Sequence, residues 1–218
     1  MNGPRELNDL PYAGFLSPAA GPPRQDGAYD SEHFDGAEYA DLKAGGARFA
    51  ECAFSSLAFD GGRLRRARFN DVWAHTVRWV GTDLAETDWL DAEFGANVLA
   101  GVELYDSRLH RAAFHHCKLD SVNFRGAKLR EVVFADCTLR DVDFGGASLT
   151  SVSFPGSSLE ALRFDKAALS KTDLRGATTL GIASGFDSLK GAIISSPQLM
   201  ELAPQFAQVL GVTVNDKR

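Results

Sequence analysis

The sequence predicts an all-β solenoid with four sides to each coil. A large apolar residue recurs at every fifth position through most of the chain, a series of small residues runs two positions ahead of it, and a twenty-residue recurrence overlies both. Self-similarity at a short fixed period marks a structure built by stacking, in which each unit buries its apolar face only against its neighbours.

From Phe34 to Leu174 every fifth residue is Leu, Phe, Tyr or Trp, except Ala44 and Ala74. The companion series includes Ala47, Cys52, Ala67, Val72, Val77, Ala92, Val102, Ala112, Cys117, Val122, Ala127, Val132, Cys137, Val142, Ala147 and Val152. Between them stand mostly Asp, Arg, Ser, Gly, Asn and Lys, so each block of five places two side chains inside and three outside. In an α-helix five steps rotate a side chain by about 140° and would smear the apolar positions around the cylinder. In a flat strand five steps reach the opposite face. The chain must therefore turn a corner once per block.

The number of sides follows from the longer period. Phe34, Phe54, Phe94, Phe114, Phe134 and Phe154 share one twenty-residue column, broken only by Ala74 and Leu174, and Gly61, Gly81 and Gly101 share another on an outer corner. Twenty residues close one coil of four sides. Like residues then stack about 4.8 Å apart, a separation suited to aromatic rings packing at ~4.5–7 Å. With roughly 1.5–3 kcal/mol from each buried Leu or Phe, the ladder is a sufficient core.

The blocks V-D-F-G-G around Phe144, V-N-F-R-G around Phe124 and T-D-L-R-G around Leu174 resemble the consensus of the pentapeptide repeat family. The resemblance covers roughly residues 32–177 and implies a right-handed quadrilateral β-helix.

Residues 1–31 lie outside the register and hold Pro4, Pro11, Pro18, Pro22 and Pro23, five of the eight prolines, so they are expected to form an extended or disordered lead-in. The solenoid is expected over residues 32–180, since the register slips by one at Leu180. Residues 181–218 form a C-terminal cap. Within it Ser196 is positioned to cap a helix, Pro197 suits its first position and Gly211 its end. Leu199, Leu202, Phe206, Val209 and Leu210 fall on one face, with Met200 beside them, while Pro204 is expected to kink or split the helix. Val212-Thr213-Val214 is a candidate edge strand. The run Q-L-M-E-L…L-G-V-T-V resembles the C-terminal dimerisation segment of quinolone-resistance repeat proteins of the Qnr and MfpA type. That resemblance implies a homodimer joined tail to tail, with Leu199, Met200, Leu202, Phe206, Val209 and Leu210 at the interface.

Composition narrows the function. The 218 residues are 44% hydrophobic and carry a net charge of −6, which argues against direct binding of nucleic acid through its phosphates. No basic stretch precedes an apolar run and no apolar run approaches eighteen residues, so a cytoplasmic protein without a membrane span is expected. Three cysteines on the inward series are read as small hydrophobes, with Cys117 stacked on Cys137. No nucleophile motif, phosphate loop, dinucleotide fingerprint or zinc spacing is present, so neither an enzyme, a cofactor nor a small-molecule substrate is expected. His75 lies two coils, about 10 Å, from His115 and His116, too far to share a metal ion at ~2 Å per bond.

Charge is banded. Between Thr82 and Ser107 stand Asp83, Glu86, Asp88, Asp91, Glu93, Glu103 and Asp106 with no Lys or Arg. The register points all of them outward, most on two adjacent sides, as one continuous acidic patch. Arg63, Arg65, Arg66 and Arg68 form a basic knot upstream. Residues 32–107 hold fourteen acidic and seven basic residues (net −7), and residues 108–175 hold eleven basic and eight acidic (net +3). The resemblance to the Qnr and MfpA type implies that such a surface imitates duplex DNA and engages DNA gyrase or topoisomerase IV, with resistance to quinolones or a natural inhibitor as an outcome. The uninterrupted register is similar to the loopless MfpA type. The alternative is a general interaction scaffold with another protein partner, read equally through the basic edge of Arg108, Arg111, Lys118, Arg125, Lys128 and Arg130.

Overall fold

The computed structural model describes residues 3–215. The five-residue period becomes a right-handed parallel β-solenoid of about eight turns with one short C-terminal helix. Three sides of the coil are continuous parallel sheets of seven, eight and eight strands. On the third side in chain order, neighbouring coils meet through single-residue bridges, Lys43 to Arg63 to Asp83 to Glu103 to Asn123 to Asp143 to Arg163. Partners are twenty residues apart: Phe94 stands over Phe114 and Phe114 over Phe134, while Leu109 stands over Leu129.

The apolar centres from Phe34 to Leu174 lie in one contiguous core, with only Tyr39 partly exposed at the open end. On the first side the rings of Phe94, Phe114, Phe134 and Phe154 succeed one another at 4.3, 4.7 and 5.2 Å, nearly parallel. Phe124, Phe144 and Phe164 form a second stack on the third side at 5.3 and 5.5 Å. Cys52, Cys117 and Cys137 are buried free thiols, and the amide of Cys117 donates to Cys137 Sγ at 3.3 Å.

Every corner is made alike. From Asp26 to Lys171 each fifth residue, two beyond the centre of its block, is left-handed, with φ between 50° and 69°. Glycine fills a minority of these corners. Most hold Asp, Ser, Glu, Arg, His, Lys, Ala or Thr, at a cost of roughly 1 kcal/mol each.

The inward companion series also contains residues that its apolar members hid. Thr82, Thr87, Asn97, Ser107, Ser157 and Thr172 are completely buried. Several of them serve backbone groups of the coil below. Asn97 Oδ1 accepts from the Val77 amide at 2.6 Å and its Nδ2 donates to the Ala74 carbonyl at 2.9 Å. Ser107 Oγ accepts from the Thr87 amide and donates to the Leu84 carbonyl. Ser157 does the same for Cys137 and Phe134. Buried backbone groups at the corners are thereby satisfied from inside the coil.

The lead-in is not a loose tail. Residues 28–30 already form a strand beneath Arg48–Ala50, so the register starts at Tyr29. Ser17 and Pro18 pair with the strand at Glu32–Asp35. The segment before them, with 3₁₀ turns at Leu7–Asp9 and Ala13–Phe15, lies against the outside of the first side. There Leu10 and Tyr12 are buried with Ala53 and Trp73. Removing Leu10, Tyr12 and Trp73 from water outweighs the freedom expected of a proline-rich run.

At the other end the one-residue slip is visible as Leu159 pairing with Leu180 rather than with residue 179. The chain does not leave the coil there. Thr179–Ser184 extends the second side, and Ala192–Ile193 pairs with Thr172–Asp173. Helix α1, Ser196–Val209, then covers the last coil. Its cap is Ser195, not Ser196, with Gln198 closing a capping box, so Pro197 takes the second helical position. Gln198 is itself buried and donates to the Leu174 carbonyl at 2.8 Å. The helix runs unbroken through Pro204 and ends at left-handed Gly211. Val212–Val214 forms no strand.

Candidate protein-docking surface

With the interior filled, function falls to the outer surface and the ends. Of the seven acidic residues expected as one patch, five lie on two adjacent sides or the corner between them, and Asp91 and Glu93 lie toward the first side. Asp83 and Glu103 flank centres on the third side, Asp88 lies on the fourth and Glu93 on the first, with Glu86, Asp91 and Asp106 at corners.

Most of them are neutralised from the neighbouring coil. Arg65 lies 2.9 Å from Glu86 and 4.0 Å from Asp83, and also bonds the Tyr105 hydroxyl. Arg108 reaches Asp88 at 3.1 Å, and Arg111 binds Asp91 through two nitrogens at 2.5 and 2.6 Å. Hydrogen bonding from Arg111 holds the Asp91 carboxyl below the usual carboxylate range. Glu103 accepts from Asn123 at 2.6 Å. Asp106 makes no ion pair among the described residues. The same arrangement continues upward, with Arg125 on Asp143, Arg163 on Asp141 and Arg140 on Glu160. Opposite charges one coil apart thus replace the expected acidic band by a mixed-charge lattice. Solvent and salt screen such exposed pairs, so they add little to stability and their main effect is on what a partner meets.

Glu93 departs furthest from its expected place. It is only 7% exposed, because the lead-in covers it. The Arg5 amide and guanidinium both donate to its carboxylate at 2.6 Å, and Trp73 Nε1 donates to the Arg5 carbonyl at 3.0 Å. A partner cannot read Glu93 unless this strap lifts. Sequence reading missed Arg5, Leu10 and Tyr12. The available signal was Trp73, a large aromatic at an outward position directly before the small centre Ala74. His115, on the outer column of the same side, is also nearly buried, and desolvation pushes its imidazole down against the opposing pull of Glu93. No group of three or more His, Cys, Asp or Glu able to hold a metal ion occurs among the described residues.

The C-terminal end divides the residues expected at a dimer interface. Leu202 is 5% exposed and Phe206 packs against the core, so both cap their own coil. Leu199, Met200, Val209 and Leu210 are exposed, as are Val212 and Val214, which leaves an apolar end-plate uncovered near the two ends of the helix. No helix among the described residues is long and apolar enough to cross a membrane.

The family described as the pentapeptide repeat region matches residues 87–164. The chain carries a pentapeptide repeat region. The coils on either side of the matched segment continue its register without a break, from Tyr29 to Leu169 on the fourth side. No curated protein matches the chain. Among solved structures, a trypsin-treated variant of QnrB1, a plasmid-mediated fluoroquinolone resistance protein, is similar at 15% identity and a TM-score of 0.39, covering 87% of this chain and 100% of that one. HetL, a pentapeptide repeat protein involved in heterocyst differentiation regulation in the cyanobacterium Nostoc, is similar at 18% identity and a TM-score of 0.35, covering 79% and 91%. A pentapeptide repeat protein of the Arabidopsis thaliana thylakoid lumen gives 12% identity and a TM-score of 0.37 over 58% and 75%. These likenesses are too distant to carry a function across.

Proposed function

We propose that this repeat protein is a non-enzymatic docking rod that binds and modulates a DNA topoisomerase, DNA gyrase or topoisomerase IV, by presenting the shape of a short duplex. The observation that supports the reading is the loopless stack of about eight turns, whose ionic groups lie on the outside. At ~4.8 Å per coil it extends roughly 38 Å. The imitation rests on shape more than on charge. Duplex DNA carries one negative charge per ~1.7 Å, whereas the acidic groups here are mostly paired to arginines. Asp83, Asp88, Glu103 and Asp106 are partly or fully exposed carboxylates that a partner would meet, the first two alongside the arginines that pair with them. Purified protein at micromolar concentration should inhibit supercoiling by gyrase or reduce quinolone-stabilised DNA cleavage. Replacing these four by their amides should weaken the effect roughly tenfold or more. Unchanged supercoiling and cleavage would remove the topoisomerase and leave a scaffold for another protein, the reading that a mixed-charge lattice favours.

The apolar end-plate supports a second element of the proposal, a twofold dimer joined through the exposed apolar residues of α1. Leu199, Met200, Val209 and Leu210 would meet their own copies, and the doubled rod would approach ~76 Å. Sedimentation equilibrium should give twice the chain mass, and Leu210→Glu should return it to a single chain. A wild-type protein that sediments as one chain would refute the dimer.

A further inference from the structure

The basic knot of the sequence is the part of the surface that the docking rod leaves unexplained, and it is arranged unlike the other charges. Downstream, arginines sit over carboxylates. Here like charges are stacked: Lys43 is bridged directly to Arg63, and Arg48 pairs in register with Arg68. Coils are about 4.8 Å apart, and like charges directly opposite one another on neighbouring strands destabilise them. Arg66 stands at the corner between the two columns. All five are exposed, and none has a carboxylate within ion-pairing distance among the described residues. Arg65, held by Glu86 and Tyr105, is the neutralised exception.

The ground between these cations is partly bare, with the Asp26 side chain lying against Gly46 and that of Asp41 against Gly61. Gly45, Gly46, Gly61, Gly62 and Gly81 line a recess of about 1520 Å³ that also takes in the basic side chains. Gly62 is obligatory: at φ +83° a Cβ would lie 2.7 Å from the backbone nitrogen and oxygen of Leu42. Where the floor has no side chain over it, as at Gly81, another backbone can lie close.

We infer that this recess binds an acidic, extended segment of a protein partner, and that the stacked Lys43, Arg48, Arg63, Arg66 and Arg68 are its carboxylate-binding groups. Four of the five are arginine, whose planar fork matches carboxylate geometry. The occupant is a peptide rather than a nucleic acid because the recess is not uniformly basic. Asp26, Asp41, Asp83 and Glu103 stand in its lining, and the chain as a whole is at −6. A continuous polyphosphate would meet these carboxylates at every pass, whereas a peptide can place its acids only where the arginines are.

The cationic site does not depend on the topoisomerase reading and stands or falls on its own assay. Fluorescence anisotropy at low salt would compare the full chain's binding of a labelled peptide alternating Glu and Ser, a neutral Gly-Ser peptide and a thymidine oligonucleotide of equal length. The expected result is saturable binding of the acidic peptide alone. It should weaken roughly tenfold or more in a variant carrying Arg48→Ser, Arg63→Ser, Arg66→Ser and Arg68→Ser, and remain unchanged with Arg108→Ser and Arg111→Ser. All are surface positions, and circular dichroism would verify that each variant is folded. No saturable binding of the peptide, equal binding by both variants, or tighter binding of the oligonucleotide would each overturn the assignment.

Discussion

Replacing Phe114 by Ala is expected to lower the free energy of unfolding by about 3–5 kcal/mol, the range for removing a large aromatic from a well-packed core. Phe114 is 1% exposed and lies between Phe94 and Phe134 at 4.3 and 4.7 Å, so its loss opens a gap in the middle of a stack. Total stabilities are about 5–15 kcal/mol, which makes this a large fraction. The geometry adds a consequence peculiar to solenoids. Each coil touches only its neighbours, so a weakened interface partly uncouples the coils below it from those above. The three tryptophans, Trp73, Trp79 and Trp89, all lie below Phe114. Urea transitions followed by tryptophan fluorescence and by far-ultraviolet circular dichroism should coincide in the wild type and separate in Phe114→Ala. Coincident transitions with a loss under about 1 kcal/mol would contradict the stacked-core account.

The second large effect is expected from Asn97→Leu. The substitution keeps the branching of the side chain and raises its apolarity, so a reading based on hydrophobicity alone predicts a gain. The structure predicts a loss of about 2–4 kcal/mol, because the Val77 amide and the Ala74 carbonyl would each lose a buried partner. Asn97→Ser should be milder, since Ser107 and Ser157 perform the same double duty at equivalent positions. Urea midpoints of the two variants decide the matter, and an Asn97→Leu protein as stable as wild type would refute it.

These residues also mark where sequence reading stops. The coil, its four sides and the buried centres were legible because large apolar groups at a fixed interval have one low-energy arrangement. Even the end of the strict period at Leu180 was visible as a slip. Thr87, Asn97 and Ser107 were not recognised as interior, because their polarity matches the exterior and only the corner's orphan backbone groups explain their burial. The lead-in was opaque for a different reason. Arg5, Leu10 and Tyr12 have no periodicity, and Glu93, the partner of Arg5, is 88 residues away. The charged surface lay between these cases. Each acid of the expected patch was placed on the outside, and all but Glu93 remain there at least in part. Whether an acid is free or paired depends on the residue one coil on, as with Arg108 above Asp88 and Arg111 above Asp91. Reading the chain in columns of twenty would have revealed those pairs.

The left-handed corners have an implication for how such a molecule changes over time. Because the same bend is made by aspartate, arginine, histidine, lysine or alanine as readily as the fold requires, those positions constrain the outline of the rod without constraining its chemistry. The interior specifies a shape and the corners write a message on it, and the two can drift apart under selection. A descendant of this chain could therefore acquire a new binding preference by rewriting its edges alone, with its architecture carried forward intact.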